Sequence, residues 1–292
     1  MEPLDRLATD YERDGFVAIE GLLAADDVAA LKSDAVAIAR GERGEVIGAD
    51  PAPGADDDEV LGGILAIHFP HKISPLMNAA MRHPRVVEVL NALMGPDIKA
   101  MQTMLFVKRA GKPGQAWHQD EFYIPTRDRS LCGVWIALDD ATVENGCLWM
   151  HPGSHTPGVL YPTRPHGETR FDASQEAYDF PYPREGGVPI ELKAGGVAFF
   201  NGYVLHRSLQ NTAPSGFRRA LVTHYMSAQS LLPWNIGFSK ASRDDFRDIE
   251  MISGADPYAW KGTESVIVPF VRPENPERSG EVFRRLAERT TA

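Results

Sequence analysis

The chain has 292 residues, of which 43% are apolar and 24% are charged. These proportions are ordinary for a soluble globular protein of one large or two modest domains. Thirty basic against forty acidic residues give a formal net charge of −10, which disfavours nucleic acid as a partner.

The first hundred residues are predicted to be mainly helical. Apolar residues at helical spacing predict helices, and a short β-branched run predicts a first strand. The predicted helices are 4–14, 25–40 and 84–93, and the strand is 16–19. Residues 41–62 are rich in Gly, Pro and Asp, so we expect a loop there, with the acidic run Asp56–Glu59 exposed to solvent.

From Ala100 onwards the pattern changes to strands. Segments rich in β-branched, aromatic and large apolar residues are separated by Gly, Pro, Asn and Asp. These segments are 101–107, 131–138, 147–150, 188–192, 196–200 and 219–226. Many short strands with few helices between them favour a jelly roll or barrel. The predicted fold class is therefore mainly β with flanking helices.

Two segments complete the predicted organisation. Residues 156–187 are rich in Pro, His, Arg and Glu, and we expect an inserted loop or lid over the mouth of the barrel. After Gln229 the chain is irregular, with a final helix near 281–288. We find no internal repeat and no break in composition. We therefore predict one domain, 1–292, made of a mainly helical part (1–99), a barrel core (100–230) and a C-terminal extension (231–292).

The cysteines and the beginning of the chain bear on the compartment. Cys132 and Cys147 cannot build a disulfide framework, which is typical of a reducing compartment. Residues 1–5 lack the basic and apolar regions of a signal peptide, and no apolar stretch is long enough to span a bilayer. We therefore expect a cytoplasmic protein without a membrane partner.

The triplet His118-Gln119-Asp120 is the most informative motif. Alternate residues of a strand point the same way, so this triplet on a strand places an imidazole and a carboxylate on one face. His206, just after a later predicted strand, can complete three ligands on one side of a metal. Two histidines and one carboxylate with the opposite side open are typical of non-haem Fe(II) oxygenases.

Each histidine taken alone has a plainer interpretation as a surface residue or a satisfied core residue. The chain has nine histidines, so chance pairings are common. His224, for example, lies on a predicted strand and is expected to pack inside. The combination of His118, Asp120 and His206 is what favours a metal site.

A cation is expected beyond the metal. An Fe(II) with one open side needs an electron source to activate dioxygen, and a chelating 2-oxoacid is one such source. Arginine is the best partner for the distal carboxylate of that 2-oxoacid. Only one of Arg218 and Arg219 can point inward from their strand. Arg218 shares its face with small Ala220, whereas Arg219 shares its face with bulky Leu221 and Tyr225, so we favour Arg218. The alternative is a solvent-exposed arginine at the edge of a strand.

Several blocks of this sequence resemble the phytanoyl-CoA dioxygenase family of Fe(II)/2-oxoglutarate oxygenases, over about residues 10–230. The most specific blocks are Met101–Lys108, Trp117–Asp120, Gly133–Asp140, Glu144–Trp149, Pro152–His155 and His206–Asn211 with Gly216–Arg218. Independent blocks in the same order are a stronger signal than a lone triplet. The resemblance implies a double-stranded β-helix (a cupin-like jelly roll) with N-terminal helices.

The resemblance also implies the residues of the site. The iron ligands fall on His118, Asp120 and His206, and contacts to the cosubstrate 2-oxoglutarate fall on Met104, Gln119, Trp135, Ser208 and Arg218. Related proteins place a lysine upstream of the strand at Met101, whereas 65–68 contains none, so His68 is the candidate for that contact. Because Asp120 is present, the halogenating relatives that replace this carboxylate are not favoured.

Three aromatic residues, Phe122, Tyr123 and Trp234, are candidates for the substrate pocket. Aromatic side chains near strand ends are more often part of the core, so this assignment stays open.

The implied activity is that of a dioxygenase, which uses Fe(II), 2-oxoglutarate and dioxygen to oxidise a substrate and releases succinate and carbon dioxide. No basic cluster indicates a site for CoA phosphates, so a small metabolite is favoured over phytanoyl-CoA. Two other classes stay open: a cupin-like protein that binds metal and a 2-oxoacid without turnover, and another metalloenzyme, such as a hydrolase or isomerase, on the same fold. Arg218 favours the oxygenase. The oligomeric state cannot be predicted.

Overall fold

The computed structural model describes residues 3–231 and 248–290. The α-helices in these ranges are α1 Leu4–Asp14, α2 Ala25–Ala39, α3 Asp57–Gly62, α4 Pro75–Met81, α5 Pro84–Met94, α6 Asp120–Tyr123 and α7 Pro276–Thr290. The strands are β1 Phe16–Ile19, β2 Ile64–His68, β3 Ile98–Arg109, β4 Gln115–His118, β5 Cys132–Ala137, β6 Leu148–Met150, β7 Thr163–Arg164, β8 Glu176–Ala177, β9 Val188–Ile190, β10 Val197–Asn201, β11 His206–Ser208, β12 Phe217–Ser227, β13 Glu250–Ser253 and β14 Phe270–Pro273.

Two antiparallel sheets form the centre of the fold. The major sheet has the order β1-β10-β5-β12-β3-β2-β14, and β13 pairs with the beginning of β3. The minor sheet has the order β4-β11-β6-β9. Side chains of the major sheet such as Trp135, Phe200 and Val222 pack against Met150 and Ile190 of the minor sheet. This arrangement is a double-stranded β-helix and confirms the predicted fold class.

The N-terminal helices cover the other face of the major sheet. Leu105, Phe199 and Leu221 on this face share a core with Leu31 of α2 and Leu90 of α5. A sheet covered on both sides needs apolar residues at consecutive positions instead of alternate ones. All six residues of β5 are accordingly buried.

The expected loop at 41–62 contains the short helix α3. Asp56 Oδ1 accepts a hydrogen bond from the Glu59 backbone N–H (2.8 Å), and Glu59 Oε2 accepts one from the Asp56 N–H (3.0 Å). This reciprocal pair is a capping box at the beginning of a helix, where carboxylates are also favoured by the helix dipole. The run is exposed to solvent as predicted, but the prediction of a loop was wrong here because Asp56 caps a helix.

The major sheet extends beyond the predicted barrel core of 100–230. β1 and β2 come from the part predicted as mainly helical, and β14 comes from the C-terminal extension. β14 pairs with β2, so a strand from the predicted extension forms one edge of the sheet. α7 is also longer than the helix predicted at 281–288.

The segment 156–187 packs mainly against the outer face of the minor sheet. Tyr161 and Ala177 of this segment form a buried cluster with Trp117 and Leu205, whose side chains point away from the interior. The stretch around Asp172 reaches β14 of the major sheet, where Asp172 pairs with Arg272. Most of the predicted lid therefore lies behind the minor sheet.

Among the described residues, no helix is both long enough and apolar enough to cross a membrane.

Candidate metal centre

The three predicted ligands come from two paired strands of the minor sheet and the turn that follows one of them. His118 ends β4 and is the register partner of His206, which begins β11. Asp120 is the first residue of α6, so the strand ends earlier than the H-x-D argument assumed. Gln119 nevertheless keeps an extended backbone, with φ −128° and ψ 127°. The alternation that places His118 and Asp120 on one side is therefore preserved.

The ligand atoms of these side chains lie close together. One atom from each of the three lies within 4.8 Å of the others, and Asp120 Oδ1 is 3.7 Å from His118 Nε2 and 3.6 Å from His206 Nε2. The Nδ1 of His118 is 2.7 Å from the carbonyl oxygen of Ala116, and that of His206 is 3.0 Å from the oxygen of Val204. Because a carbonyl only accepts, both Nδ1 atoms must donate, which leaves both Nε2 lone pairs for a metal.

Burial and neighbouring groups set the charge of the cluster. Burial lowers the pKa of the His118 imidazole to about 4, and His206 acts in the same direction. Burial raises the pKa of Asp120, but His206 and His224 outweigh it, so that the pKa lies well below its usual value. At neutral pH the cluster therefore offers a neutral His118 and an ionised Asp120, the protonation states that bind a divalent metal.

Arg218 points into the space between the sheets, with its guanidinium carbon 5.4 Å from the centre of the Trp135 ring. Its residue surface is 3% exposed, and within the described residues it forms no ion pair and its Nε has no hydrogen-bond partner. Burial lowers the pKa of the guanidinium to about 10. Arg219 instead pairs with Asp139 (2.7 Å). Among the described residues, Arg218 is thus a buried cation without a bonded anion.

A buried lysine, which the sequence interpretation missed, lies beside Arg218 on the neighbouring strand. Lys108 of β3 is the register partner of Arg218, and burial, followed by Arg218, holds the pKa of its ammonium well below the usual value. Lys108 Nζ donates to Ser208 Oγ (2.9 Å) and to two backbone carbonyl oxygens. Ser208 Oγ also accepts from the Gln115 N–H (3.3 Å). Both lone pairs of this hydroxyl are used, so its hydrogen is free to be donated.

His68 and Met104 line the same side of the major sheet. They are register partners on β2 and β3, and the His68 ring stacks on Phe270 of β14 at 4.4 Å. Burial lowers the pKa of His68 to about 3, so the ring is neutral at pH 7. His68 therefore cannot supply the positive charge of the lysine that related proteins carry, whereas Arg218, with a pKa of about 10, can.

Gln119 uses its amide to hold the neighbouring chain. Its Nε2 donates to the carbonyl oxygens of Val159 (2.9 Å) and Tyr203 (2.8 Å), and its Oε1 accepts from the Tyr161 N–H (2.9 Å). Both amide hydrogens are used in these bonds, so none is left for the predicted contact with a cosubstrate. Gln119 instead attaches the segment 156–187 to the turn before β11.

Of the three residues predicted for a substrate pocket, two lie beside the cluster. Phe122 and Tyr123 are on α6 and are 43% and 42% exposed, and the Tyr123 ring lies 6.4 Å from the ring of His118. Trp234 lies outside the described residues. Tyr123 thus places accessible aromatic surface next to the ligand cluster.

The fold and the site together define a class of protein: a double-stranded β-helix with two histidines and one carboxylate at its open end and a buried arginine beyond them. A model of the phytanoyl-CoA dioxygenase (PhyH) family matches residues 11–220. This match covers more than half of the chain, so the protein belongs to that family, as its sequence blocks predicted.

Individual relatives agree with this placement. Phytanoyl-CoA dioxygenase 1 of Oryza sativa subsp. japonica is 32% identical over 164 residues, which are 56% of this chain and 57% of the rice protein. The chain therefore matches little more than half the length of this curated relative. Among solved structures, the non-heme monooxygenase ThoJ has a TM-score of 0.66 at 19% identity, covering 98% of this chain and 96% of its own. The epimerase SnoN, in complex with Fe3+, alpha ketoglutarate and nogalamycin RO, has a TM-score of 0.61 at 24% identity, covering 87% and 92%. These structural likenesses concern the fold.

Proposed function

We propose that the protein is an Fe(II)/2-oxoglutarate-dependent dioxygenase that hydroxylates a small-molecule metabolite and releases succinate and carbon dioxide. The observation that carries this proposal is the guanidinium of Arg218, which is buried beside the His118, Asp120 and His206 cluster and has no bonded anion among the residues that the structure describes. An unpaired buried charge is costly, and a ligand carboxylate removes much of that cost. The distal carboxylate of 2-oxoglutarate is such a ligand.

One group of side chains would bind the metal and another would bind the cosubstrate. His118, Asp120 and His206 would hold the iron, which supplies the activation of dioxygen when bound. Arg218 would pair with the distal carboxylate, and the Ser208 hydroxyl would donate to it. Lys108 would keep Ser208 oriented as a donor. Trp135 and Met104, both on the inner face of the major sheet, would exclude water from this end of the cavity.

The relatives support the same chemistry. The rice relative is called a dioxygenase, and the structures of SnoN and of CytC3 contain iron and alpha-ketoglutarate. Similar structures also include a carbocyclase and an epimerase, so the oxidation of a substrate can have other outcomes on this fold. A small metabolite is favoured as substrate because the sequence has no basic cluster for CoA phosphates, and Arg272, one cation among the described residues, is already paired with Asp172.

The test has a binding arm and a turnover arm. In the absence of oxygen, Fe(II) and 2-oxoglutarate should give a visible charge-transfer band, which Zn(II) cannot give, so this arm separates the proposal from a zinc hydrolase or isomerase. In air, a pool of metabolites should give substrate-dependent succinate and a product heavier by one oxygen atom. His118→Ala should abolish both signals, with His155→Ala as the control on an imidazole outside the cluster. Full succinate formation by His118→Ala would refute the assignment of the ligand.

A further inference from the structure

A fourth histidine contacts the ligand cluster. His224 lies on β12, is 4% exposed, and has its Nε2 atom 3.1 Å from Asp120 Oδ2. Its Nδ1 has no hydrogen-bond partner within the part of the chain that the structure describes. The hydrogen bond of this buried ring is thus made to a side chain of the metal cluster.

The two oxygens of Asp120 have different surroundings. Oδ1 is the oxygen that lies 3.7 Å from His118 Nε2 and 3.6 Å from His206 Nε2. Oδ2 is the oxygen next to His224. An ionised carboxylate only accepts hydrogen bonds, so His224 Nε2 must carry the hydrogen and donate it. The bond therefore turns one oxygen towards His224 and leaves the other for the cluster.

We propose that His224 is a positioning residue that keeps Asp120 monodentate, so that Oδ1 alone binds the metal. This inference rests on the proposed function, because it concerns the same centre. Three protein ligands leave three positions of an octahedron, which a chelating 2-oxoacid and dioxygen together would fill. A carboxylate that chelated with both oxygens would take one of those positions. The donor on Oδ2 disfavours that arrangement.

A fourth ligand is the main rival role for His224. His224 is not in the group whose ligand atoms all lie within 4.8 Å of one another, which contains His118, Asp120 and His206. Its donating Nε2–H is also unable to bind a metal through the same nitrogen. The two roles predict different numbers of nitrogen ligands, and this number can be measured on the unaltered protein.

The first experiment is electron paramagnetic resonance of the wild-type protein loaded with one equivalent of Cu(II). We expect hyperfine coupling from two imidazole nitrogens. Coupling from three would overturn the proposal, because His224 would then be a ligand. A wild-type protein that binds neither Cu(II) nor Fe(II) would instead refute the proposed function, so the two failures are distinguishable.

The second experiment compares His224→Leu with His224→Gln, whose amide nitrogen reaches about as far as Nε2 and restores a donor. Loss of an outer partner of a metal ligand typically weakens metal binding by about 10–100-fold. We expect His224→Leu to show this loss in Ni(II) calorimetry and, at saturating Fe(II), to bind 2-oxoglutarate about tenfold more weakly. His224→Gln should recover most of both affinities. His71→Leu removes an equally buried imidazole that bonds to Thr103 instead of Asp120, and should leave both affinities unchanged.

If His224→Leu retains wild-type affinity for Ni(II) and for 2-oxoglutarate, the proposal is wrong. It is also wrong if His224→Gln loses as much as His224→Leu, because a loss that the donor does not restore indicates packing alone. If both variants fail to fold, the wild-type Cu(II) spectrum still tests the number of nitrogen ligands.

Discussion

Replacing Arg218 with methionine should change stability and cosubstrate binding in opposite directions. In the described part of the chain the guanidinium is buried without a bonded anion, and burial lowers its pKa from the ordinary value to about 10. At about 1.4 kcal/mol per pH unit, this fall corresponds to a cost of about 3 kcal/mol for keeping the charge in the protein without its ligand. Methionine retains an unbranched apolar stem, is two atoms shorter than arginine and carries no charge. We therefore expect Arg218→Met to raise the free energy of unfolding of the ligand-free protein by about 1–3 kcal/mol.

The same change should weaken the binding of 2-oxoglutarate. A carboxylate bound by two charge-assisted hydrogen bonds loses at least about 3 kcal/mol when both are removed, which is about 100-fold in affinity. Stability would be measured by urea denaturation followed by tryptophan fluorescence, and affinity by anaerobic titration of the Fe(II)-loaded protein. Arg219→Met is the matched control, because Arg219 pairs with Asp139. It should lower stability by up to about 1 kcal/mol and leave the affinity unchanged.

The reasoning on Arg218 would be refuted by a variant that is less stable than the wild type and binds 2-oxoglutarate equally well. Such a result would mean that the guanidinium is satisfied inside the protein and has no ligand to bind. Lower stability with weaker binding would retain the anion site and reject only the energetic argument.

Three further predictions concern other parts of the molecule. Ser208→Ala removes the hydroxyl that Lys108 orients and should weaken 2-oxoglutarate binding about tenfold, with no change in metal affinity by calorimetry. The pKa of His68 is about 3 in the folded state and about 6.5 in the unfolded state, so the unfolded chain takes up the proton first as the pH drops. The free energy of unfolding should therefore fall between these two pH values. His68→Phe should lessen that fall, measured by urea denaturation at pH 7 and pH 5. Asp56→Ala breaks the capping box of α3 and should cost about 1 kcal/mol of unfolding free energy, and an unchanged urea midpoint would contradict this.

Strand alternation made the inner face of the barrel predictable. Arg218 and Arg219 could be told apart because Ala220 and Leu221 share their respective faces. Met104 and Lys108 are an even number of residues apart on β3, so the same alternation places them on one face. A buried lysine could therefore have been predicted from the block Met101–Lys108. It was missed because a lysine is usually interpreted as exposed.

Features that depend on distant pairing were not predictable from local pattern. Nothing in the sequence of β14 shows that it pairs with β2, and hydrogen bonds across 200 residues of chain are invisible to periodicity. β4 ends at His118 because α6 begins at Asp120. A helix of four residues is too short to show a periodic pattern in the sequence, so its beginning could not be predicted. The bond between His224 and Asp120 likewise joins positions whose proximity only the sheet creates.

The direct pairing of His118 with His206 links metal binding to the order in which the chain folds. These two positions come together only when β11 pairs with β4, which requires the nearly ninety residues between them to fold. An ion bound by both histidines would stabilise the pairing of these two distant strands. The gain in the free energy of unfolding would depend on the ratio of the ion's concentration to its dissociation constant. Iron starvation would then leave the protein easier to open at the seam between these strands, and proteases would cut there first.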